Sequence, residues 1–199
     1  MLNYSPIIKI GIVHYNTPVI TKLLIESIHD NVNNCQICVL DNSDTKPLDA
    51  KIPDIYIKDV LNFDKYQGRK YASYRHAKSV QWLLDNFSHE FVLFDSDTYL
   101  LKDFTPIIDR NYNIIGSAEI SNHFGDWRIV PYFVYLNLPE NYQFCDKFRF
   151  YNISHENRYD TGGSLYEDVQ LRKLKFKEID IYDYVIHYGG QSVKSLPRI

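Results

Sequence analysis

The sequence predicts an α/β fold with a mixed central sheet flanked by helices, and the first half of the chain carries the observations behind this prediction. Residues 7–13 form a nearly continuous β-branched run, as expected for a parallel strand covered on both faces. Residues 16–18 then provide a helix start with a proline, and apolar residues recur at helical spacing over 19–28. Further strands and one more helix complete a β-α-β-β-α-β order, which is typical of the nucleotide-binding half of an open sheet.

The remaining elements follow from local patterns along the chain. Strands are predicted over residues 36–40, 55–57 and 91–94, and an amphipathic helix over residues 68–84. In the less regular second half, strands are predicted over residues 114–118, 127–135 and 179–182, and a helix over residues 167–174. The length predicts one domain, with a nucleotide-binding half at residues 1–100 and a second half at residues 101–199 that completes the site.

Composition and charge exclude several classes of protein. With 45% hydrophobic and 24% charged residues, the chain has an ordinary globular composition. A net charge of −3 does not suit a nucleic-acid binder, which must neutralise phosphates. The sequence contains neither a secretory signal nor an apolar run long enough for a transmembrane helix. Because three cysteines also fit a reducing compartment, we expect a cytoplasmic location.

Two carboxylates, Asp95 and Asp97, follow the predicted buried strand at residues 91–94. Side chains two residues apart on a strand point to the same side, and carboxylates at a buried position need a cation or hydrogen-bond donors. Ligand crevices of α/β sheets lie at the carboxyl ends of the strands, where such a pair suits a hard divalent ion. The same residues also fit a polar turn that caps the next element. The pattern therefore predicts either a metal site or a turn.

Polar groups follow three of the predicted parallel strands. They are His14, Tyr15 and Asn16 after the first strand, Asp41 and Asn42 after the second, and Asp95, Ser96 and Asp97 after the fourth. Since parallel strands end at one edge of a sheet, we expect these groups to converge on one crevice. Asp41 could accept a hydrogen bond from a pyrimidine base, and Tyr15 could pack on that base. Turn and cap chemistry is the alternative interpretation of each group.

The carboxyl half holds a second group of candidate residues. Gly162 and Gly163 would allow a backbone to approach a ligand closely. Glu167 and Asp168 lie in a predicted first helical turn, where the helix dipole also favours acidic residues for stability alone. His187 precedes two glycines, although a lone histidine is more often structural than a ligand.

Five segments, taken in order, resemble GT-A glycosyltransferases of family two. Residues 10–16 are similar to the opening strand of that family, residues 39–43 to its second strand with a base-binding acid, and residues 95–97 to its metal-binding D-x-D. Residues 166–171 resemble its E-D-x-x-L helix, and residues 185–190 its H-x-G segment. The pattern is common in the rhamnosyl- and galactofuranosyltransferase-like branch. The resemblance covers nearly the whole chain and implies a GT-A fold.

The resemblance implies a metal-dependent transferase with a UDP- or dTDP-sugar donor and a carbohydrate or other hydroxyl acceptor. Asp95 and Asp97 would hold Mn²⁺ or Mg²⁺ against the donor diphosphate, and His187 would complete the metal shell. Asp168 would take the proton of the acceptor hydroxyl, giving inversion, and Glu167 would raise its basicity. The implied donor-binding residues are His14, Tyr15, Asn16, Asp41, Asn42, Lys70, Ser96, Gly162 and Gly163. The half at residues 101–199 would bind the acceptor.

The chain departs from the family pattern in two places. Ser73 stands where the family has an arginine, and Lys70 and Arg75 are the candidates to replace it. The sequence also stops soon after His187, without the helical or membrane extension of many members. A minimal enzyme and a domain of a longer multidomain transferase are therefore both open.

Two other functions fit parts of the sequence. Asp95 and Asp97 after an apolar strand match the start of the haloacid dehalogenase phosphohydrolase motif, but Tyr99 stands where that motif has threonine or valine. In haloacid dehalogenases that motif normally lies at the start of the chain, whereas Asp95 and Asp97 lie near the middle of this chain. A non-catalytic sugar-binding module is the alternative if Asp168 or the metal site is not functional.

Overall fold

The computed structural model describes residues 6–63, 72–120, 125–142, 162–172 and 174–189. The amino-terminal elements are β1 (Ile8–His14), α1 (Pro18–Asn31), β2 (Cys35–Asp41), β3 (Ile55–Lys58), α2 (Ala72–Asn86) and β4 (Glu90–Asp95). The carboxyl-terminal elements are β5 (Thr98–Leu100), β6 (Ile114–Gly116), β7 (Ala118–Ile120), β8 (Trp127–Ile129), β9 (Phe133–Asn137), α3 (Gly163–Arg172), β10 (Phe176–Glu178) and β11 (Val185–His187). Short 3₁₀ turns occur at Thr105–Ile107 and Ile181–Asp183.

A seven-stranded mixed sheet with the order β10-β6-β9-β4-β1-β2-β3 forms the centre of the fold. Strand β1 pairs in parallel with β2 and β4, and β2 pairs in parallel with β3. Strand β9 runs antiparallel between β4 and β6, and β10 pairs in parallel with β6. Two small antiparallel pairs, β5 with β11 and β7 with β8, lie outside this sheet. The predicted α/β fold with a mixed central sheet is confirmed.

Helices on both faces of the sheet explain why the buried stretches of its central strands, such as residues 10–13 and 91–94, are apolar on both sides. On one face, Leu24, Ile25 and Ile28 of α1 belong to the same buried cluster as Ile10 and Ile12 of β1. On the other face, α2 contributes its apolar side to a second buried cluster with residues from β2 and β4. A strand covered on both faces cannot alternate polar and apolar residues, because every second side chain would then be a buried polar group.

Several predicted boundaries in the second half were wrong. The run at residues 114–118 divides into β6 and β7, which belong to different sheets, and the run at residues 127–135 divides into β8 and β9. The strand predicted at residues 179–182 is instead a 3₁₀ turn, because the Asp180 carboxylate accepts a hydrogen bond from the Tyr182 amide and caps that turn. Helix α3 begins at Gly163, four residues before its predicted start.

A helix that crosses a bilayer must be both long and predominantly apolar. No helix in the described part of the chain combines these two properties.

Candidate functional site

The three polar strand ends meet at one edge of the sheet, as the sequence predicts. Strand β1 pairs with β2 so that His14 lies opposite Asp41, and it pairs with β4 so that Val13 lies opposite Asp95. All three strands run in parallel, so the residues that follow them lie on the same side of the molecule.

Asp95, Asp97 and His187 form a group that could hold a metal ion. One ligand atom from each of the three residues lies within 4.8 Å of the others, and Nε2 of His187 is 3.2 Å from Oδ1 of Asp97. Two carboxylate oxygens and an imidazole nitrogen suit Mn²⁺ better than Mg²⁺, which prefers oxygen ligands. The donor set is therefore compatible with the divalent metal ion that the sequence predicts.

The pairing of β11 with β5 brings His187 to this position. In that antiparallel pair His187 lies opposite Thr98. Thr98 directly follows the Asp95–Asp97 segment in the sequence. The amide of Tyr188 also donates a 2.9 Å hydrogen bond to the carbonyl oxygen of Asp97. Backbone hydrogen bonds on both strands thus determine where the imidazole lies relative to the two carboxylates.

The charges in this group stabilise each other. Burial disfavours the charged form of Asp95, but its contact with His76 and the charges of His187 and Arg128 together outweigh this effect. The pKa of the Asp95 carboxyl is therefore held below its ordinary value. Burial lowers the pKa of His187, yet its hydrogen bond with Asp97 and the charge of Asp95 raise it by more, so the net pKa of His187 is raised. A divalent cation bound here would take the place of the proton in the hydrogen bond between His187 and Asp97.

Two further polar residues, His76 and Arg128, lie at the site without having been predicted from the sequence. Nε2 of His76 on α2 lies 2.6 Å from Oδ1 of Asp95. Its position four residues before Val80, on the apolar side of a predicted helix, is the signal that could have identified it. Arg128 on β8 lies opposite Glu119 on β7, and Nη2 of Arg128 is 2.5 Å from Oε1 of Glu119. The sequence shows no signal for this pair.

Asp41 does not face an open crevice in this structure. It is 1% exposed, and both of its oxygens accept hydrogen bonds from the chain that follows it. Oδ1 accepts from the Ser43 amide at 2.7 Å, and Oδ2 accepts from the Leu48 amide at 2.8 Å and from the Tyr56 hydroxyl at 2.8 Å. The carboxylate therefore shapes the loop after β2, and its assignment as a base-binding acid stays a prediction.

Tyr15 and Asn16 lie together at the end of β1 and are held by one carboxylate. The Tyr15 hydroxyl donates to Asp44 at 2.9 Å, and Nδ2 of Asn16 donates to Asp44 at 2.6 Å. The guanidinium of Arg75 stacks on the Tyr15 ring, 4.4 Å from its centre, and Arg75 is only 6% exposed. A base that packs on Tyr15 would have to share the ring with this guanidinium or displace it.

His14, Asn42 and Ser96 connect the strand ends to the helices. Nδ1 of His14 forms a 2.8 Å hydrogen bond with the Thr21 hydroxyl of α1, and the Ser96 hydroxyl lies 3.1 Å from that of Thr17. Nδ2 of Asn42 donates to the Ser79 hydroxyl of α2 at 2.6 Å. These hydrogen bonds hold the strand ends against the helices. Donor binding by His14, Asn42 and Ser96 stays a prediction.

Asp168 is fully buried on helix α3 and accepts a hydrogen bond from the Tyr142 hydroxyl. Glu167, the preceding residue, is half-buried. Neither carboxylate belongs to the group that could hold a metal. Their assigned catalytic roles stay predictions, and the expected donor-binding residue Lys70 lies outside the described residues.

Gly162 lies directly before helix α3, which begins at Gly163, and it contacts strand β8. The amide of Ile129 donates a 3.0 Å hydrogen bond to the Gly162 carbonyl oxygen. Gly162 has φ +91°, and a Cβ atom there would lie 1.8 Å from the carbonyl oxygen of Ile129. Close backbone contact at Gly162 is thus observed between two parts of this chain.

Comparisons with known proteins identify the fold. The sequence matches no protein-family model, and no curated protein matches it at a significant level. The structure is similar to that of the glycosyltransferase GlyE of Streptococcus pneumoniae TIGR4, with a TM-score of 0.55, 14% identity and coverage of 97% of this chain and 52% of that one. It is also similar to a glycosyltransferase involved in glycosylation of the PBCV-1 major capsid, with a TM-score of 0.54, 12% identity and coverage of 95% and 97%.

A third similar structure is the bifunctional glycosyltransferase WbbM, with a TM-score of 0.56 and 10% identity over 90% of this chain. The chain spans 52% of GlyE and 40% of WbbM, so it corresponds to only part of those two proteins. At these identities the likeness concerns the fold. The chain has the GT-A type of α/β fold, with a mostly parallel central sheet flanked by helices.

Proposed function

We propose that this chain is a metal-dependent glycosyltransferase that moves a sugar from a nucleoside-diphosphate donor to a hydroxyl acceptor. The observation that carries the proposal is the group of Asp95, Asp97 and His187 at the carboxyl edge of a GT-A type sheet. Ligands of such sheets bind at this edge. Donors that carry rhamnose or galactofuranose are our first candidates, because the order of motifs resembles the rhamnosyl- and galactofuranosyltransferase-like branch of family two.

Charge explains why a cation is needed at this site. Asp95 and Asp97 would repel the phosphates of a donor if no cation lay between them. Mn²⁺ held by Asp97, Asp95 and His187 would supply Lewis-acid chemistry to the departing diphosphate. Arg128, held in place by Glu119, adds a positive charge that already acts on Asp95 and His187. The charges of Asp95, Asp97 and Glu119 are then balanced by those of one divalent ion and of Arg128, so the site with its cation would no longer repel an anionic leaving group.

Asp168 is our candidate for the general base that takes the proton of the acceptor hydroxyl. Its place after the glycines of the α3 start resembles that of the family's base. Because Asp168 is fully buried and one of its oxygens accepts from Tyr142, the acceptor hydroxyl would have to reach the carboxylate beside the Tyr142 hydroxyl. Direct attack assisted in this way would invert the anomeric configuration. Glu167, half-buried and adjacent, is the next candidate.

Titration calorimetry of UDP and dTDP tests the metal-dependent donor site. We expect binding in Mn²⁺ and none in EDTA, and we expect Asp97→Asn to lose most of the affinity. Asp103→Asn is the matched control, because Asp103 is exposed and bonds only locally to Thr105 in the contacts described. Equal affinity in Mn²⁺ and in EDTA would contradict the proposal.

A panel of sugar nucleotides with Mn²⁺, scored by thermal stabilisation, would identify the donor, since a bound ligand raises stability by mass action. The panel includes UDP-galactofuranose and dTDP-rhamnose. Phosphatase activity without nucleotide preference would instead support the haloacid dehalogenase alternative. Donor binding without transfer or hydrolysis would support a sugar-binding module.

A further inference from the structure

Tyr132 stacks on the imidazole of His187. The two ring centres are 4.0 Å apart and the ring planes differ by only 6°. Tyr132 is 4% exposed, and its hydroxyl lies 2.6 Å from the hydroxyl of Tyr182. The tyrosine ring is thus fixed by burial on one side and by a hydrogen bond at its end.

The backbone of Tyr132 is attached to the same pair of strands that carries His187. Its carbonyl oxygen accepts a 3.2 Å hydrogen bond from the hydroxyl of Thr98. Thr98 is the residue opposite His187 in the pairing of β5 with β11. The two stacked rings are therefore connected through Thr98 as well as through their faces.

The stack restricts a motion that would take Nε2 of His187 away from the two carboxylates. A histidine on a strand can rotate its ring about χ2, and only some rotations direct Nε2 to Asp97. With a flat ring 4.0 Å from its face, the imidazole cannot rotate about χ2 without a clash. Nε2 therefore remains 3.2 Å from Oδ1 of Asp97.

We propose that Tyr132 is a positioning residue for His187, whose ring face keeps Nε2 directed at the site formed with Asp95 and Asp97. The inference rests on the proposed function, because it assumes that His187 is a metal ligand. Groups that orient a metal-binding histidine usually do so by a hydrogen bond to the second ring nitrogen. At this site a ring stack performs that task.

Mn²⁺ binding to the protein, measured without any nucleotide by electron paramagnetic resonance of the free ion, tests the inference. We expect Tyr132→Leu to weaken Mn²⁺ affinity by about 10- to 100-fold, the usual effect of losing an orienting group. Tyr132→Phe keeps the ring face and should remain within about threefold of the wild type, since a conservative change preserves the orientation.

Tyr135→Leu is the matched control. Tyr135 is also a 4% exposed tyrosine, three residues along the chain, and its hydroxyl bonds to Glu90 rather than to a residue of the site. This variant loses a buried ring of the same kind, and we expect it to bind Mn²⁺ as the wild type does. It thereby separates loss of positioning from general loss of stability.

A double-mutant cycle with His187→Ala decides whether Tyr132 acts through His187. We expect Tyr132→Leu to have no further effect on Mn²⁺ affinity once His187 is alanine. Wild-type affinity in Tyr132→Leu, or an equal loss in the His187→Ala background, would overturn the inference while leaving the metal site in place. Unchanged affinity in His187→Ala alone would overturn both the inference and the assignment of His187 as a ligand.

Discussion

His76 and Asp95 are in direct contact, with Nε2 of the histidine 2.6 Å from Oδ1 of the carboxylate. The contact joins helix α2 to the carboxyl end of strand β4, where the candidate metal ligands begin. The two side chains are 16% and 21% exposed, so water screens them only in part. At this separation the imidazole compensates the Asp95 carboxylate and helps to hold its pKa below the ordinary value.

We predict that His76→Ala lowers the free energy of unfolding by about 1–3 kcal/mol in EDTA. Removing one partner of a buried pair leaves the other charge uncompensated, and the partial exposure of Asp95 reduces that cost below its fully buried value. Urea unfolding measures the change. In an Asp95→Asn background the same substitution should cost less, because the charge is already gone.

An exposed ion pair provides the control for this prediction. Lys22 and Glu26 on α1 are 56% and 52% exposed, so Lys22→Ala should change the stability by about 0.5 kcal/mol or less. Equal costs of His76→Ala with and without the Asp95 charge would show that the contact contributes nothing.

We predict that Gly162→Ala destabilises the protein by about 2–4 kcal/mol, as expected when strain combines with a steric clash. The φ of +91° disfavours any side chain, and a Cβ atom would lie 1.8 Å from the Ile129 carbonyl oxygen. Neither backbone can move without breaking the hydrogen bond from Ile129 to Gly162.

Gly125→Ala is the matched comparison for Gly162. Gly125 has φ +73°, but a Cβ atom there would meet no atom of the described residues within 4 Å, its immediate chain neighbours aside. Only the backbone strain of about 1–2 kcal/mol should therefore appear in thermal or urea unfolding. Similar losses in the two variants would mean that α3 and β8 separate easily.

We predict that Asp168→Asn leaves UDP affinity within about threefold of the wild type and reduces transfer by about 10²–10⁴-fold, the usual loss for a general base. Asp168 is not among the residues that could hold a metal ion, so we expect donor binding not to depend on its charge. Calorimetry with UDP and a transfer assay with the identified donor measure the two quantities.

Tyr142→Phe distinguishes this role from a purely structural one. It removes the hydroxyl that donates to Asp168 and should cost about 1 kcal/mol of stability while most transfer remains. If Asp168→Asn also transfers sugar at nearly the wild-type rate, the carboxylate only stabilises α3. Glu167 would then become the residue to test.

We predict that His14→Gln makes stability less sensitive to acid. Burial lowers the pKa of His14 below its ordinary value of 6.5, and this outweighs the opposite effects of Asp41 and of the Lys46 carbonyl. Below that ordinary value the unfolded chain binds a proton at His14 while the folded chain does not. Stability is therefore lost as the pH falls from that ordinary value towards the lower folded pKa.

The measurement is urea unfolding of both proteins at a series of pH values from neutral to mildly acidic. Glutamine cannot take up the proton, so the difference in stability between the two proteins should become smaller as the pH falls. Parallel curves over that range would show that His14 is not held neutral by burial.

Local sequence patterns predicted the order of the first six elements because apolar spacing reflects which faces the core covers. They failed at residues 179–182, where the side chain of Asp180 caps a turn and overrides the β-branched composition of the run. They also did not predict the division of residues 127–135 into β8 and β9, although Pro131, which has no amide to donate to a strand, lies at the turn between them.

The sequence by itself determined the α/β fold and the placement of Asp95 and Asp97 at a strand end, because both follow from patterns a few residues long. Only the tertiary structure decided which distant groups join them. His187, ninety residues after Asp97, reaches the site through the pairing of β11 with β5. Asp41 looked equally available in the sequence, but the Leu48 amide and the Tyr56 hydroxyl bind its carboxylate inside the protein. Such choices depend on which donors fold against each carboxylate, and spacing along the chain does not encode that.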